Sequence, residues 1–312
     1  MTHILVVDEM HPSLLPMLSA KGIQADYKPA FVRKDILENI APYDGIIIRS
    51  KTVIDEEILS RATNLKFIGR AGAGLDQMDL EAIEKLNIQV FNAPEGNRDA
   101  VGEHALTMLL CLFNNILQAD KEVRAKVWKR EANRGIEVGG KTVAIIGYGN
   151  TGNAFARRLS GFNCQVLAYD KYLSSYTNSY AQEATMEQIF EQADVLSLHI
   201  PLTSETLKLV NTEFINRFKK NIFIINTARG EIISLTDLAK AIESGKIRGA
   251  CLDVLENEKL QTLSEAQEHA FSFLSGVQNV IFSPHVAGWT HESYVRINEV
   301  LVEKIARFIN HS

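Results

Sequence analysis

Thr142–Leu159 reads TVAIIGYGNTGNAFARRL. Val143–Ile146 is apolar without alternation, which suits a strand buried on both faces. Gly147-Tyr148-Gly149-Asn150-Thr151-Gly152 follows at once, and Asn153–Leu159 then takes helical spacing. Each glycine has a task if a pyrophosphate sits at this turn. Gly147 permits the tight bend, Gly149 lets backbone approach the phosphates, and Gly152 lets helix pack on strand. The helix start offers free N–H groups and the positive end of its dipole. A second strand, Gln165–Tyr169, delivers Asp170, 18 residues after Gly152. A carboxylate there accepts hydrogen bonds from ribose hydroxyls and repels a 2′-phosphate, which favours NAD over NADP. Lys171 beside it works the other way. The competing account is a glycine turn with no ligand.

The strand–helix rhythm extends in both directions. Val195–His199, Ile222–Asn226, Gly249–Leu252 and Val280–Phe282 bring the strands to six, the number of a complete doubly wound dinucleotide-binding sheet. Upstream, Ile4–Val7, Gly45–Ile48, Leu65–Ile68 and Ile88–Phe91 alternate with helical patterns at Leu14–Ala20, Glu56–Arg61 and Leu80–Leu86. Strands alternating with helices predict parallel sheets with right-handed crossovers. A long helical pattern, Asp99–Lys126, separates the two runs and suits a bridging or interface helix. Glu292–Ile309 is again helical and lies beyond the last strand, free to return to the first domain. The expected fold is α/β: two doubly wound parallel-sheet domains, a Rossmann cofactor domain inserted in a flavodoxin-like substrate domain. The substrate domain is placed at 1–96 and 286–312, the cofactor domain at 97–285, with the active site in the cleft and hinge closure to exclude water.

Composition narrows the function classes. The 312 residues carry 33 basic and 38 acidic side chains, net −5, and lack the basic face of a nucleic-acid binder. Hydrophobic residues at 46% and charged ones at 23% set aside disorder, collagen and coiled coil. No apolar run reaches the ~18 residues of a membrane span. Cys111, Cys164 and Cys251 form no Cys-x-x-Cys pair, so neither a disulfide framework nor a metal site is expected. The start, MTHILVVD, reads as a strand rather than a leader, and the cytoplasm is the expected location.

Several reactive side chains fall just past strand carboxyl ends, where open α/β sheets bind ligands. Arg229 follows in Asn226-Thr227-Ala228-Arg229-Gly230, Asp253 follows Leu252 with Glu258 five residues on, and His285 lies in Ser283–Gly288. A histidine with a carboxylate suits reversible proton transfer near neutral pH, and an arginine suits a substrate carboxylate. Taken singly, each has a plainer account as a surface arginine or a structural histidine. In the first half, Arg49 and Arg70 end strands, and the small residues Ala71–Gly74 expose backbone N–H groups to an anion. Ordinary surface arginines and a packing turn are the alternative.

Together these segments resemble the D-2-hydroxyacid dehydrogenase family over most of the chain. The likeness runs through Gly69–Asp79 (GRAGAGLDQMD), Phe91–Asn97 (FNAPEGN), Gly140–Gly152, His199–Thr206 (HIPLTSET), Asn226–Gly230, Leu252–Glu258 (LDVLENE) and Ser283–Gly288 (SPHVAG). Within the family it is nearest to the branch acting on 3-phosphoglycerate, a short form without the C-terminal regulatory domain. The resemblance implies NAD as cofactor and a catalytic trio of Arg229, Glu258 and His285. His285 would exchange the proton of the substrate hydroxyl, Glu258 would orient its ring and favour the protonated form, and Arg229 would bind the carboxylate. Cofactor positions carried over are Ala73, Gly147, Gly149, Asn150, Thr151, Gly152, Asp170, His199, Ile200, Pro201, Thr206, Thr227, Ala228, Arg229, Asp253, His285 and Gly288. Among them, Thr227 and Asp253 would face the nicotinamide ribose and carboxamide. Substrate positions are Arg49, Arg70, Gly72, Ala73, Gly74 and Asn97.

The implied activity is oxidation of 3-phospho-D-glycerate to 3-phosphohydroxypyruvate in L-serine synthesis, by a homodimer. Trp128 is either a cross-subunit anchor or a core residue. Rival readings are another 2-hydroxyacid dehydrogenase, such as a glyoxylate/hydroxypyruvate reductase or D-lactate dehydrogenase, and a nucleotide-sensing corepressor. The chain departs from the family pattern at Lys259, where many relatives have proline, and in an insert, Gln261–Gly276.

Overall fold

The computed structural model describes residues 2–311. The chain divides into two compact units: Met1–Arg98 with Trp289–Ser312, and Asp99–Gly288. The first unit runs β1 (His3–Val6), α1 (Leu14–Ala20), β2 (Gln24–Tyr27), α2 (Arg33–Asn39), β3 (Gly45–Ile48), α3 (Glu56–Arg61), β4 (Phe67–Arg70), α4 (Leu80–Lys85) and β5 (Gln89–Asn92). Helix α5 (Pro94–Phe113) carries the chain into the second unit. There follow α6 (Ile116–Arg124), β6 (Thr142–Ile146), α7 (Asn150–Leu159), β7 (Gln165–Tyr169), β8 (Gln182–Glu183), α8 (Met186–Gln192), β9 (Val195–Leu198) and α9 (Thr212–Asn216). The second unit ends with β10 (Ile222–Asn226), α10 (Leu235–Glu243), β11 (Ile247–Leu252), α11 (Glu265–Gly276) and β12 (Val280–Phe282), and α12 (His291–His311) closes the chain.

Both sheets are parallel throughout. The first has the order β2-β1-β3-β4-β5, a doubly wound sheet of the flavodoxin type. The second has seven strands in the order β12-β11-β10-β9-β6-β7-β8, with its switch point between β6 and β9. It exceeds the six expected strands because β8, two residues long, pairs with Leu167 and Ala168 at the edge. The strands are as apolar as parallel strands need to be: β3, β6, β9 and β10 are buried along their whole length. β2 was not expected, because its sequence QADY is polar and half-exposed at the sheet edge.

Helix α12 belongs to the first unit. It lays Leu301 and Ile305 over Gly69 of β4, and Phe308 joins Phe67 and Phe91 in an aromatic cluster. Lys304 Nζ adds bonds of 2.8 Å to Glu95 and 3.0 Å to the Asn92 carbonyl. The single helix expected over Asp99–Lys126 is in fact broken. Asn115 sits at φ +51° between α5 and α6, and the two helices bend by 59°. Asparagine tolerates that left-handed backbone better than most residues. Trp128 lies outside the core, 78% exposed.

The insert between Glu258 and His285 is ordered. Ser264 and Gln267 form a capping box, and α11 packs on α10 with Ala270 and Leu274 buried. Among the described residues no single helix is long and apolar enough to cross a membrane, and no group of three metal-ligating side chains converges.

Candidate active site

Register brings the chemistry of the second unit to one line. Tyr169, Ile146, Leu198, Asn226, Leu252 and Phe282 are the last residues of adjacent strands and lie level. The next residue of each chain segment is therefore Asp170, Gly147, His199, Thr227, Asp253 or Ser283. Parallel strands point all their carboxyl ends the same way, so residues far apart in sequence share one edge.

The glycine turn has the shape a dinucleotide needs. Gly147 adopts φ +91°, and a Cβ at that position would run into the His199 carbonyl. A Cβ at Gly152 would run into the carbonyl of Gly147, so only glycine lets α7 start this close to β6. Beyond Gly149 there is open space. Helix α7 begins with Asn150 and Thr151, and no side chain caps its first turn. Its leading N–H groups face that space as an anion site.

Asp170 is partly taken up by its own chain. Oδ2 accepts from Tyr148 N at 2.8 Å, and Oδ1 accepts from Tyr172 N at 2.9 Å and Leu173 N at 3.1 Å. A carboxylate has about four acceptor positions, so one stays available on Oδ2 for a ribose hydroxyl. Lys171 pairs with Glu205, which offsets the cation beside Asp170.

His199 is a structural imidazole at the turn. Nε2 meets Ser197 Oγ at 2.9 Å, Nδ1 meets Thr151 Oγ1 at 3.2 Å, and Phe155 lies 5.5 Å from its ring. The residue keeps some surface, yet burial of the ring pushes its pKa down to about 3. The loop after β9 holds itself: Thr206 Oγ1 donates to the Pro201 carbonyl at 2.7 Å, and Ile200 packs toward the core. Asn226, fully buried, shapes the turn after β10 by accepting from Ala228 N and donating to the Arg229 carbonyl. Ala228 is buried, and Arg229 Nη1 donates to the Ala228 carbonyl at 2.7 Å. The Thr227 hydroxyl is buried with no partner among the described residues, an orphan that a ligand at this edge would satisfy. Glycine turn, uncapped helix and orphan hydroxyl all fit a dinucleotide.

The acid–base pair is formed. His285 Nδ1 lies 2.8 Å from Glu258 Oε1 and 3.1 Å from Oε2, with both side chains about half exposed (48% and 49%). Glu258 is steadied by its neighbours: Glu256 accepts from Leu235 N at 2.9 Å, and Asn257 closes a turn onto Lys259 and Thr262. Asp253, which the resemblance places toward the nicotinamide, turns its carboxylate onto its own chain. It is 2% exposed, and its carboxylate accepts from Ser283 Oγ, Val286 N and Ala287 N. Gly288 ends the second unit.

In the first unit, Arg49 directly follows β3 and Arg70 ends β4, with Ile48 and Arg70 level in the sheet. Asp8, 2% exposed, gathers Arg49 N, Lys51 N and the Thr52 hydroxyl, and so builds the loop after β3. The Arg49 guanidinium lies 3.7 Å from the Trp289 ring centroid and 4.6 Å from that of Tyr294. Its Nη1 donates to Tyr294 Oη at 3.1 Å. Burial lowers its pKa from the ordinary arginine value, as expected of a cation packed on aromatic faces. After β4, Gly72 and Ala73 have their carbonyls held by Ala93 N and Asn92 Nδ2, and Gly74 continues the loop. The Asn97 side-chain oxygen is buried without a partner among the described residues. Sequence reading missed Asp8, His104, Trp289 and Tyr294. Only Asp8 carried a signal, as an acid placed directly after a buried strand.

The family profile described as "D-isomer specific 2-hydroxyacid dehydrogenase, NAD binding domain" matches residues 106–287. The chain is 32% identical over 97% of its length to the D-3-phosphoglycerate dehydrogenase of Archaeoglobus fulgidus, covering 56% of that protein. It is 35% identical over 98% of its length to the enzyme of that name from Synechocystis, covering 54% of it. It thus spans about half the length of these curated relatives. The solved D-lactate dehydrogenase from Aquifex aeolicus, complexed with NAD and lactic acid, superposes with TM-score 0.84 at 25% identity, over 99% of this chain and 96% of that one. With the glycine turn, the level strand ends and the His285–Glu258 pair in place, the chain belongs to the D-isomer specific 2-hydroxyacid dehydrogenase family and carries that family's NAD-binding domain.

Proposed function

We propose that the protein oxidises 3-phospho-D-glycerate to 3-phosphohydroxypyruvate with NAD, and catalyses the reverse reduction, as a step toward L-serine. The observation that carries this reading is the 2.8 Å pair of His285 and Glu258 on the same sheet edge as the dinucleotide turn. Bound nicotinamide supplies the hydride acceptor or donor. His285 takes the hydroxyl proton in oxidation and returns it in reduction. Glu258 holds Nδ1, which leaves Nε2 for the substrate. Arg229, in the turn after β10, binds the substrate carboxylate and polarises the neighbouring carbonyl. Arg49, Arg70 and Asn97 take the distal phosphate, a role supported by the names of the relatives and by the absence of any carboxylate paired with the Arg49 guanidinium among the described residues.

The aromatic cover over Arg49 supports a second reading, an unphosphorylated 2-hydroxy acid, with the cation used to hold Trp289 and Tyr294 in place. A homodimer is also proposed, since α6 leaves Ile116, Leu117 and Val123 exposed, with Trp128 beyond it. A cytoplasmic location suits three free thiols. The test is turnover. Purified protein should oxidise NADH when phosphohydroxypyruvate is added, and His285→Ala should not. Binding of NADH with no turnover on any 2-oxoacid would favour a nucleotide-sensing role instead.

A further inference from the structure

His285 adopts φ +54°, a left-handed backbone conformation that is strained in a non-glycine residue and persists only when its surroundings fix it. Asp253 does most of the fixing, with the Ser283 carbonyl, 3.1 Å from His285 N, as a second and longer acceptor. The Asp253 carbonyl accepts from His285 N at 2.7 Å, and the Asp253 carboxylate accepts from Val286 N and Ala287 N, each at 2.9 Å. Three consecutive N–H groups thus close on a single buried residue at the end of β11.

The carboxylate is aimed in turn by two side chains. Ser283 Oγ lies 2.6 Å from Asp253 Oδ1, and His104 Nε2 lies 2.8 Å from Ser283 Oγ. The carboxylate can only accept, so the serine hydroxyl donates to it. The serine oxygen then accepts from His104, which places the proton on Nε2. The 3.5 Å separation of His104 Nε2 from Asp253 Oδ1 is too long for a strong direct bond, so the serine is the bridge. Met108 Sδ, at 3.6 Å from Ser283 Oγ, is the weaker alternative acceptor that the serine would turn to if the chain were broken.

We propose that His104 and Ser283 are positioning residues for the proposed proton transfer: through Asp253 they hold the His285–Ala287 backbone, and thereby set where the His285 imidazole meets substrate. The proposal rests on the reading of His285 as the proton carrier. Neither residue touches the ring itself; they act through a hydrogen-bond chain that ends on its backbone. A misplacement of the reacting group by a fraction of an ångström is enough to cost tenfold or more in rate, about what such a chain controls.

The experiment compares Ser283→Ala and His104→Leu, which break the chain, with Ser283→Thr and His104→Gln, which keep a hydroxyl and an N–H donor. Amide hydrogen exchange of residues 285–287 is measured beside kcat and the KM for NADH, with cooperative thermal unfolding as the check on fold. The breaking variants should speed exchange at these amides and lower kcat about tenfold to a hundredfold, with the KM for NADH within about twofold of wild type. The conservative variants should restore both. Unchanged exchange, or faster exchange with wild-type kcat, would overturn the proposal. Wild-type protein inactive on every 2-oxoacid, but with amide protection that the breaking variants abolish, would refute the proton-carrier reading and leave the His104–Ser283–Asp253 chain as a structural element.

Discussion

Glu258 grips His285 from the Nδ1 side at 2.8 Å, while the backbone nitrogen of the same histidine is tied to the Asp253 carbonyl at 2.7 Å. Two acids therefore divide the work on one histidine. The exposed one faces the ring and the buried one holds the backbone. The first predicted consequence is kinetic. His285→Ala should lower kcat by about a hundredfold or more, with the NADH dissociation constant almost unchanged, because the ring acts on the proton and not on the dinucleotide. Glu258→Gln keeps an acceptor for Nδ1 and loses the charge, so it should fall between, at about tenfold. Steady-state kinetics with a fluorescence titration of NADH checks both.

Gly152→Ala tests the turn. The added methyl would meet the Gly147 carbonyl, so either α7 or the turn must shift. We expect at least about tenfold weaker NADH binding and a lowered unfolding temperature, since a forced backbone shift in a packed site costs about 1–3 kcal/mol. Calorimetric titration and thermal unfolding read the two effects separately.

Arg49→Ala tests the anion site. If the guanidinium holds a phosphate, the KM for phosphohydroxypyruvate should rise about a hundredfold while that for hydroxypyruvate changes by less than about threefold. Arg49→Lys should recover little, because a lysine cannot lie flat on Trp289 and Tyr294 and present a fork at once. Equal losses for the two substrates would remove the phosphate from the account.

His199 gives the pH dependence. Its imidazole is held near a pKa of about 3, below the ordinary 6.5, so the folded protein keeps it neutral. The unfolded chain takes up that proton below its ordinary pKa. The contribution to stability is therefore whole above about pH 6.5 and is lost as pH falls toward 3, by at most about 1.4 kcal/mol per pH unit. In His199→Gln the difference in unfolding free energy between about pH 7 and about pH 5 should be smaller than in the wild type. Urea titrations at the two pH values measure it.

The fold was legible wherever burial was two-sided. β3 and β10 match the expected bounds because their runs of buried Ile and Phe are unbroken, and β6 adds only the buried Thr142 to the apolar run Val143–Ile146. β2 and β8 were not visible, since edge strands carry polar side chains and β8 is held by pairing with β7 alone. The break at Asn115 was missed because apolar spacing runs on across it, and only the left-handed backbone of one asparagine marks it. At the site, a histidine and an acid after strand ends could be named from sequence, because parallel topology sends those ends to one edge. Which way Asp253 turns could not, because its partners lie 30 to 34 residues away and are chiefly backbone N–H groups that any sequence supplies. The contacts of His104 with Ser283 and of Arg49 with Tyr294 join residues 179 and 245 positions apart, and only the folded chain reveals them.

NADH oxidation by wild-type protein with phosphohydroxypyruvate, hydroxypyruvate, pyruvate and glyoxylate side by side decides the substrate. The account predicts a kcat/KM for phosphohydroxypyruvate at least about a hundredfold above the others, the worth of a well-held phosphate. A preference for an unphosphorylated 2-oxoacid would contradict it, leaving the fold, the NAD-binding domain and the His285–Glu258 pair in place but assigning Arg49 to its aromatic neighbours.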